Sequence, residues 1–314
     1  MFERCTMIST KGMERAEWLQ LRRTGIGGSD AAAIVGLSRY ATPYSVYMDK
    51  LGLLPELEDN EAMRQGRDLE EYVAARFTEQ TGKKVQRCNY MIRNPRYPFA
   101  LADIDRRVVG ENAVLECKTT SSLDLREFNG VEFPERYYVQ CVHYMAVTGA
   151  ERCYLAVLVL GRGFFVYTLE RDLAEIAALM AAEAEFWEKV ERRTPPEITG
   201  AEADTKAVAT VWAESIGGEV DLLGMDDLFR QLETAEETLA IAKKSKDEAL
   251  NKIKERMQSA ERGSCAGYKC SWKTQTRNTL DADALKAAFP AIPFDDYMKK
   301  STSRPFRWER VAEQ

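Results

Sequence analysis

Asp105, Glu116 and Lys118 are residues of this 314-residue chain whose types and spacing can do chemistry together. The stretch "VLECKTT" (114–120) alternates as a strand does, so Glu116 and Lys118 share one face while Cys117 takes the other. "ADIDRRV" (102–108) precedes it across the turn "VGENA", and antiparallel pairing of the two segments sets Asp105 beside Glu116. Two carboxylates in one place repel unless a proton or a metal separates them. Hard oxygen ligands of this kind suit Mg²⁺ or Mn²⁺. A lysine beside them can hold or deprotonate an attacking water and stabilise a charged phosphoryl transition state. The cluster therefore fits metal-assisted hydrolysis of a phosphodiester. The competing reading is an ordinary salt bridge on a hairpin.

Those residues need elements to position them. "ERAEWLQLRRTG" opens as a helix with Trp18 and Leu21 on one side, and Gly25, Gly27 and Gly28 break it. Ser29 and Asp30 are good N-cap types for the helix that follows. "TPYSVYMDKLG" reads as a short helix ended by Gly52. Leu69, Val73 and Phe77 recur at helical spacing in a longer one, closed by Gly82. The period then becomes alternating, and "KVQRCNYMIRN", "FALADIDRRVV" and "AVLECKTT" read as three consecutive strands. A helix opened by Pro134 and closed by Gly149 follows, then the strands "ERCYLAVLVL" and "GFFVYTLE", then an amphipathic helix that "TPPEITG" ends. This order predicts an α/β protein with a mixed sheet flanked by helices.

After Gly200 the character changes. Leu228, Leu232, Ala235, Leu239, Ala242, Leu250, Ile253 and Met257 form a coiled-coil-like seam with charges between, imperfect around Lys246. "GYKCSWKTQTR" alternates like a strand, "DADALKAAFP" is a short helix, and "SRPFRWER" offers a closing strand. The expected organisation is a core over 1–200 and, over 201–314, a module of a long helix or coiled coil plus a small α+β extension.

The formal net charge is −6 with a pI near 5.3, which argues against a generally basic nucleic-acid coat protein. It leaves a nuclease open, because local clusters set the field in a groove. Seven scattered cysteines without a CxxC pair read as reduced thiols of a cytoplasmic protein. Cys265 and Cys270 have no second pair to complete a zinc site. The N-terminus has no apolar core for a signal peptide, and no apolar run approaches membrane-spanning length.

Four ordered blocks covering roughly residues 14 to 190 carry a family resemblance: "WLQLRRTGIGGSDAAAIVGLSRYATPYSVYMDKLG", "GRDLEEYVAARF", "DIDRRVVGENAVLECKTT" and "YYVQCVHYMAVTG". The chain resembles the phage λ exonuclease family in its YqaJ-type viral recombinase branch, within the restriction-endonuclease-like PD-(D/E)XK superfamily. The resemblance implies that Asp105 and Glu116 bind one or two Mg²⁺ or Mn²⁺ ions, joined by the backbone carbonyl of Cys117. It makes Glu70 a further acidic ligand, with neighbouring Glu71 facing solvent. Lys118 would position the water, Gln140 would contact the nucleophile or scissile phosphate, and Tyr144 would line the site or pack. Arg22 and Ser29 match positions that hold a 5′-phosphate at a DNA end, which suits a fork of donors beside a hydroxyl near a helix N-terminus. Asp103 departs from the pattern, since relatives often have Ser or Asn there; it bears on 5′-end recognition, as a repelling charge or as another metal ligand. His143, alone on an amphipathic helix, is read as a packing residue rather than a base.

The resemblance implies a DNA exonuclease that resects double-stranded ends, 5′ to 3′, for phage-type recombination beside a single-strand annealing protein, in some relatives as a trimeric ring. It places the protein in the cytoplasm of a bacterial host, as a phage or prophage product. The alternatives are an endonuclease with the same core and a non-catalytic DNA-binding or recruitment protein. "YYVQ", Arg106 with Arg107, and the hydroxyls of "KTTSS" are further candidates to line a DNA groove. "YKCSWKTQTR" interleaves aromatics with Lys269, Lys273 and Arg277, a composition that suits single-stranded DNA and equally an exposed edge hairpin.

Overall fold

The computed structural model describes residues 4–56, 59–121, 128, 132–298 and 304–308. The chain divides into two compact units between Ala213 and Glu214. A boundary at 200, drawn where the sequence changes character after Gly200, separates the next helix from its unit. That helix, Glu202–Val211, belongs to the first unit. Its buried Asp204 accepts hydrogen bonds from the hydroxyls of Thr42 and Thr199 and from the Thr199 amide.

In chain order the first unit holds β1 (Thr6–Ser9), α1 (Arg15–Arg23), β2 (Ile26–Gly27), α2 (Gly28–Ile34), α3 (Pro43–Lys50) and α4 (Glu61–Thr81). Then come β3 (Val85–Arg87), β4 (Tyr90–Asn94), β5 (Tyr97–Ala102), β6 (Arg106–Val108) and β7 (Ala113–Thr120). The unit ends with α5 (Glu135–Thr148), β8 (Arg152–Val159), β9 (Gly163–Glu170), α6 (Leu173–Arg192) and α7 (Glu202–Val211). Local chemistry sets several ends. Asn60 caps α4 by accepting the Met63 amide at 3.0 Å, and Gly82 closes that helix at φ +71°, a left-handed conformation costly to residues with a Cβ. Asp172 caps α6 through the Ala174 and Glu175 amides.

A five-stranded mixed sheet, β3-β6-β7-β8-β9, is the centre of this unit. Its parallel pair, β7 and β8, requires a crossover, which α5 supplies. Alternation sorts β7 onto two faces. Ala113 and Leu115 pack with Val73 and Phe77 of α4, while Val114 joins the core with Val142 and Met145 of α5 and with Leu179 of α6. Phe77 is fully buried, which contributes about 1.5–3 kcal/mol. A second sheet, β1-β4-β5-β2, flanks the first. Two of the three expected strands therefore split. "KVQRCNYMIRN" becomes β3 and β4, and "FALADIDRRVV" becomes β5 and β6, with each half in a different sheet. The second break falls on Asp103 to Asp105, where alternation would otherwise hold the carboxylates in a continuous ladder.

The second unit holds α8 (Asp226–Met257), β10 (Arg262–Cys265), β11 (Tyr268–Ser271), α9 (Ala282–Ala288) and a 3₁₀ turn at Phe294–Tyr297. The 32-residue α8 buries none of its residues. Within this unit Trp308 donates to Glu236 at 3.3 Å and lies near Phe229. "SRPFRWER" forms no strand over its described part, 304–308, and its remainder lies outside the described residues. Among the described residues no helix is long and apolar enough to cross a membrane.

Candidate active site

The register of β6 with β7 pairs Arg106 with Leu115, which carries Asp105 opposite Glu116. The Cys117 amide donates to Asp105 Oδ2 at 2.7 Å, tying the aspartate to the neighbouring strand. Glu116 and Lys118 project from the α5 face of β7, and Lys118 Nζ lies 2.5 Å from Glu116 Oε1. The same ammonium sits 5.3 Å from the ring centre of Tyr137 on α5. Gln140, one turn along α5, donates through Nε2 to Glu116 Oε1 at 2.7 Å and to the Tyr144 hydroxyl at 2.9 Å. Tyr144 in turn donates to the Asp103 carbonyl at 3.1 Å. The chain Lys118, Glu116, Gln140, Tyr144 therefore joins β7, α5 and the β5–β6 break.

This cluster is short of positive charge. Burial pushes the Asp105 carboxyl well above the usual carboxylate range, and the Glu116 and Glu70 charges add to the rise. Burial likewise raises Asp103, against the pull of Trp18 and Arg22. It works against the Lys118 ammonium too, but Glu116 and Asp105 outweigh it and hold Lys118 above the ordinary lysine range. Glu116 Oε2 is buried with no hydrogen-bond partner. Opposed carboxylates with an unmatched oxygen fit a hard divalent cation held by oxygen ligands. Asp105, Glu116 and the Cys117 carbonyl are the atoms that would hold it.

Glu70 sits differently. Among the described residues no group of three His, Cys, Asp or Glu side chains stands ready to hold a metal ion. Arg106 is buried on the α4 face of β6, where it binds Glu70 and reaches Glu71 at 2.9 Å. Arg87 also contacts Glu70, at 3.0 Å. Arg106 is thus not part of a DNA groove; strand alternation turns it inward, away from its exposed neighbour Arg107, which binds Gln86. Glu71 is largely exposed, as expected, yet engaged by Arg106.

Arg22 and Ser29 meet at the start of α2, which packs on Gln140 and Tyr144 of α5. Arg22 donates to Ser29 Oγ at 2.7 Å and stacks 5.0 Å from the Trp18 ring centre. Gly28 lets the two regions touch, because a Cβ there would fall 2.6 Å from the Tyr144 ring. Ser29 is not the N-cap of α2. Gly27 is, and Asp30 accepts the Gly27 amide at 2.9 Å from three residues on. Lys50 donates to Asp30 Oδ2 at 2.6 Å and to the Arg22 carbonyl at 3.2 Å. Asp103 accepts Trp18 Nε1–H at 3.1 Å, so it adjoins both regions. His143 is fully buried between the Leu101 carbonyl, 2.9 Å away, and Glu183, 2.8 Å away. That is the packing role its sequence context gives it.

Sequence pattern brings Asp105, Glu116 and Lys118 into view, the family resemblance adds Gln140 and Tyr144, and the structure brings the five together. It gives no sign of Trp18 or Lys50 as partners of acids, since both contacts depend on tertiary placement. In "KTTSS", Ser122 lies outside the described residues.

The fold and these contacts define a mixed α/β protein, its sheets flanked by helices, with a carboxylate–lysine cluster. Known proteins agree with that fold. The alkaline exonuclease LHK-Exo from Laribacter hongkongensis superposes with a TM-score of 0.50 at 23% identity, over 57% of this chain and 93% of that one. The same enzyme in complex with dAMP matches equally. Residues 17–151 match the YqaJ-like viral recombinase domain. The protein named Uncharacterized protein YqaJ, from Bacillus subtilis (strain 168), is 38% identical over 306 residues, 96% of each chain. This chain belongs to the YqaJ-like viral recombinase family.

Proposed function

We propose that this protein is a Mg²⁺- or Mn²⁺-dependent DNA exonuclease that resects double-stranded ends, 5′ to 3′, in recombination by single-strand annealing. The observation that carries the reading is the opposition of Asp105 and Glu116 across β6 and β7, with Lys118 and Gln140 both on Glu116. Family membership and the fold shared with an alkaline exonuclease support it. The wider role follows the family: a bacterial cytoplasmic setting, an annealing protein as partner, and a ring-forming homo-oligomer, such as a trimer.

Each residue has a task. Asp105, Glu116 and the Cys117 carbonyl would hold one or two ions, and Glu70 would join them on leaving Arg106. A bound divalent cation polarises the phosphoryl oxygens and acidifies water. Lys118, beside Glu116, would orient the attacking water and stabilise the negative charge that develops on the phosphoryl group. Gln140 fixes the rotamer of Glu116, and Tyr144 fixes Gln140. Arg22 and Ser29 receive the terminal 5′-phosphate through charge-assisted hydrogen bonds.

Digestion of linear duplex DNA with 5′-phosphate or 5′-hydroxyl ends, beside a covalently closed circle, tests this with wild type and Lys118→Ala. Stepwise loss of linear DNA alone, faster from the 5′-phosphate and abolished by Lys118→Ala, is expected. Nicking of the circle would replace the reading with an endonuclease. No cleavage of any substrate with either metal would leave a binding protein.

A further inference from the structure

Helix α8 is 32 residues long and buries none of them. Its apolar residues are not scattered around it. In one heptad frame Leu232, Leu239, Lys246 and Ile253 take the a positions, and Leu228, Ala235, Ala242 and Ala249 take the d positions. Such spacing gathers them into a single stripe along the helix. Leu228 is 58% exposed, Leu239 69% and Ile253 50%. Trp308 touches the helix at one flank, near the Phe229 ring and donating to Glu236 at 3.3 Å, yet residues 234–253 are all exposed. A contiguous apolar stripe left in water marks an interaction surface.

The charges of α8 say what covers it. Residues 226–241 hold five carboxylates against one arginine, and residues 242–257 hold six lysines and arginines against three carboxylates. Turned end for end, the helix is therefore its own electrostatic complement. A surface that complements itself under two-fold rotation is what an isologous pair requires. Parallel pairing does the opposite: it sets the acidic halves side by side and places Lys246 against Lys246 within the seam.

We propose that two copies of this chain pair through α8 as an antiparallel coiled coil, with Glu236 of each copy beside Lys243 of the other. In antiparallel pairs a positions face d positions and e positions face e positions. Centred between Leu239 and Ala242, this register sets Leu239 against Ala242 and Leu228 against Ile253. Lys246 falls opposite Ala235, whose small side chain leaves room for the lysine stem to carry its ammonium to Glu236 of the second copy. At the e positions Phe229 meets Leu250 and Glu236 meets Lys243, each contact made twice by symmetry. A slip of one heptad either way puts Lys243 on Lys243 or Glu236 on Glu236, so the charges fix the register as well as the direction. The pairing needs no metal, DNA or cleavage, and so stands apart from the exonuclease reading.

The test is the mass of the full-length protein in solution at micromolar concentration, read by sedimentation velocity in EDTA. Leu239→Asp puts a carboxylate into both central layers and is expected to halve the mass of the assembly. Glu236→Lys and Lys243→Glu each turn two attractions into two repulsions, and each weakens pairing about tenfold. An equimolar mixture of these two variants regains the wild-type mass, because every e-position charge contact in the mixed pair is again between opposite signs. Parallel pairing gives no such rescue. A wild-type mass equal to that of Leu239→Asp would overturn the proposal and assign the stripe to another segment of this chain or to a different protein. A Leu239→Asp mass half that of wild type, with no recovery in the mixture, would overturn the antiparallel register.

Discussion

Asp30 and Asp105 are both half-buried aspartates of the same unit, and their surroundings differ in sign. Burial acts to raise each one. At Asp30 the cations of Lys50 and Arg22, with the Gly27 amide, outweigh burial and hold the carboxyl below its usual range. At Asp105 the nearest charged groups include Glu116 and Glu70, and the carboxyl is driven well above that range despite Lys118. A carboxylate that serves the fold is given its cations by the fold. One left short of positive charge costs stability, and that cost is retained where the missing charge comes from outside. The contrast separates the structural acid of α2 from the candidate metal ligand that precedes β6 without reference to any relative.

The largest effects sharpen the contrast from the two lysines. Lys118→Ala is expected to lower the cleavage rate of linear duplex by about 10²–10⁴-fold, measured well below the variant's unfolding temperature. Lys50→Met strands Asp30 with a buried, half-compensated charge, and urea unfolding should show a loss of about 3–5 kcal/mol. Its effect on cleavage should follow stability alone. Gly28→Ala forces a methyl into the Tyr144 ring, costs about 1–3 kcal/mol, and lowers kcat more than it raises KM, because Tyr144 supports Gln140.

The smallest effect is a pH dependence. The lowered folded value of Asp30 means that its contribution is complete above the ordinary aspartate value of about 3.9 and is lost as pH falls through the lower folded value. Asp30→Asn should therefore flatten the acid limb of the stability–pH curve below about pH 5 and leave the neutral region parallel to wild type. A limb as steep as wild type would show that Asp30 is not the group the cations serve.

Much of the site is legible because strand and helix periods are short-range. The two-residue period fixes Glu116 and Lys118 on one face, and the helical period stacks Gln140 and Tyr144. Tertiary placement hides the rest. Arg106 and Arg107 are alike in sequence, but the pleat buries one under Glu70 and leaves the other in water. The split of "FALADIDRRVV" between two sheets carries no local signal, since Ile104 continues the apolar alternation through the break. Helix α7 reads as part of the C-terminal module because its anchor, Asp204, meets Thr42 at a separation no local pattern spans.

Thermal unfolding of wild type and Asp105→Asn, each in EDTA and in millimolar Mg²⁺ or Mn²⁺, tests the central claim most directly. In EDTA the variant should melt higher than wild type by about 2–4 °C, because one of two repelling charges is gone. Metal should raise the wild-type midpoint and leave the variant unmoved. A wild-type midpoint indifferent to both metals, together with a variant that melts lower in EDTA, would contradict the account: Asp105 would then be a structural acid like Asp30.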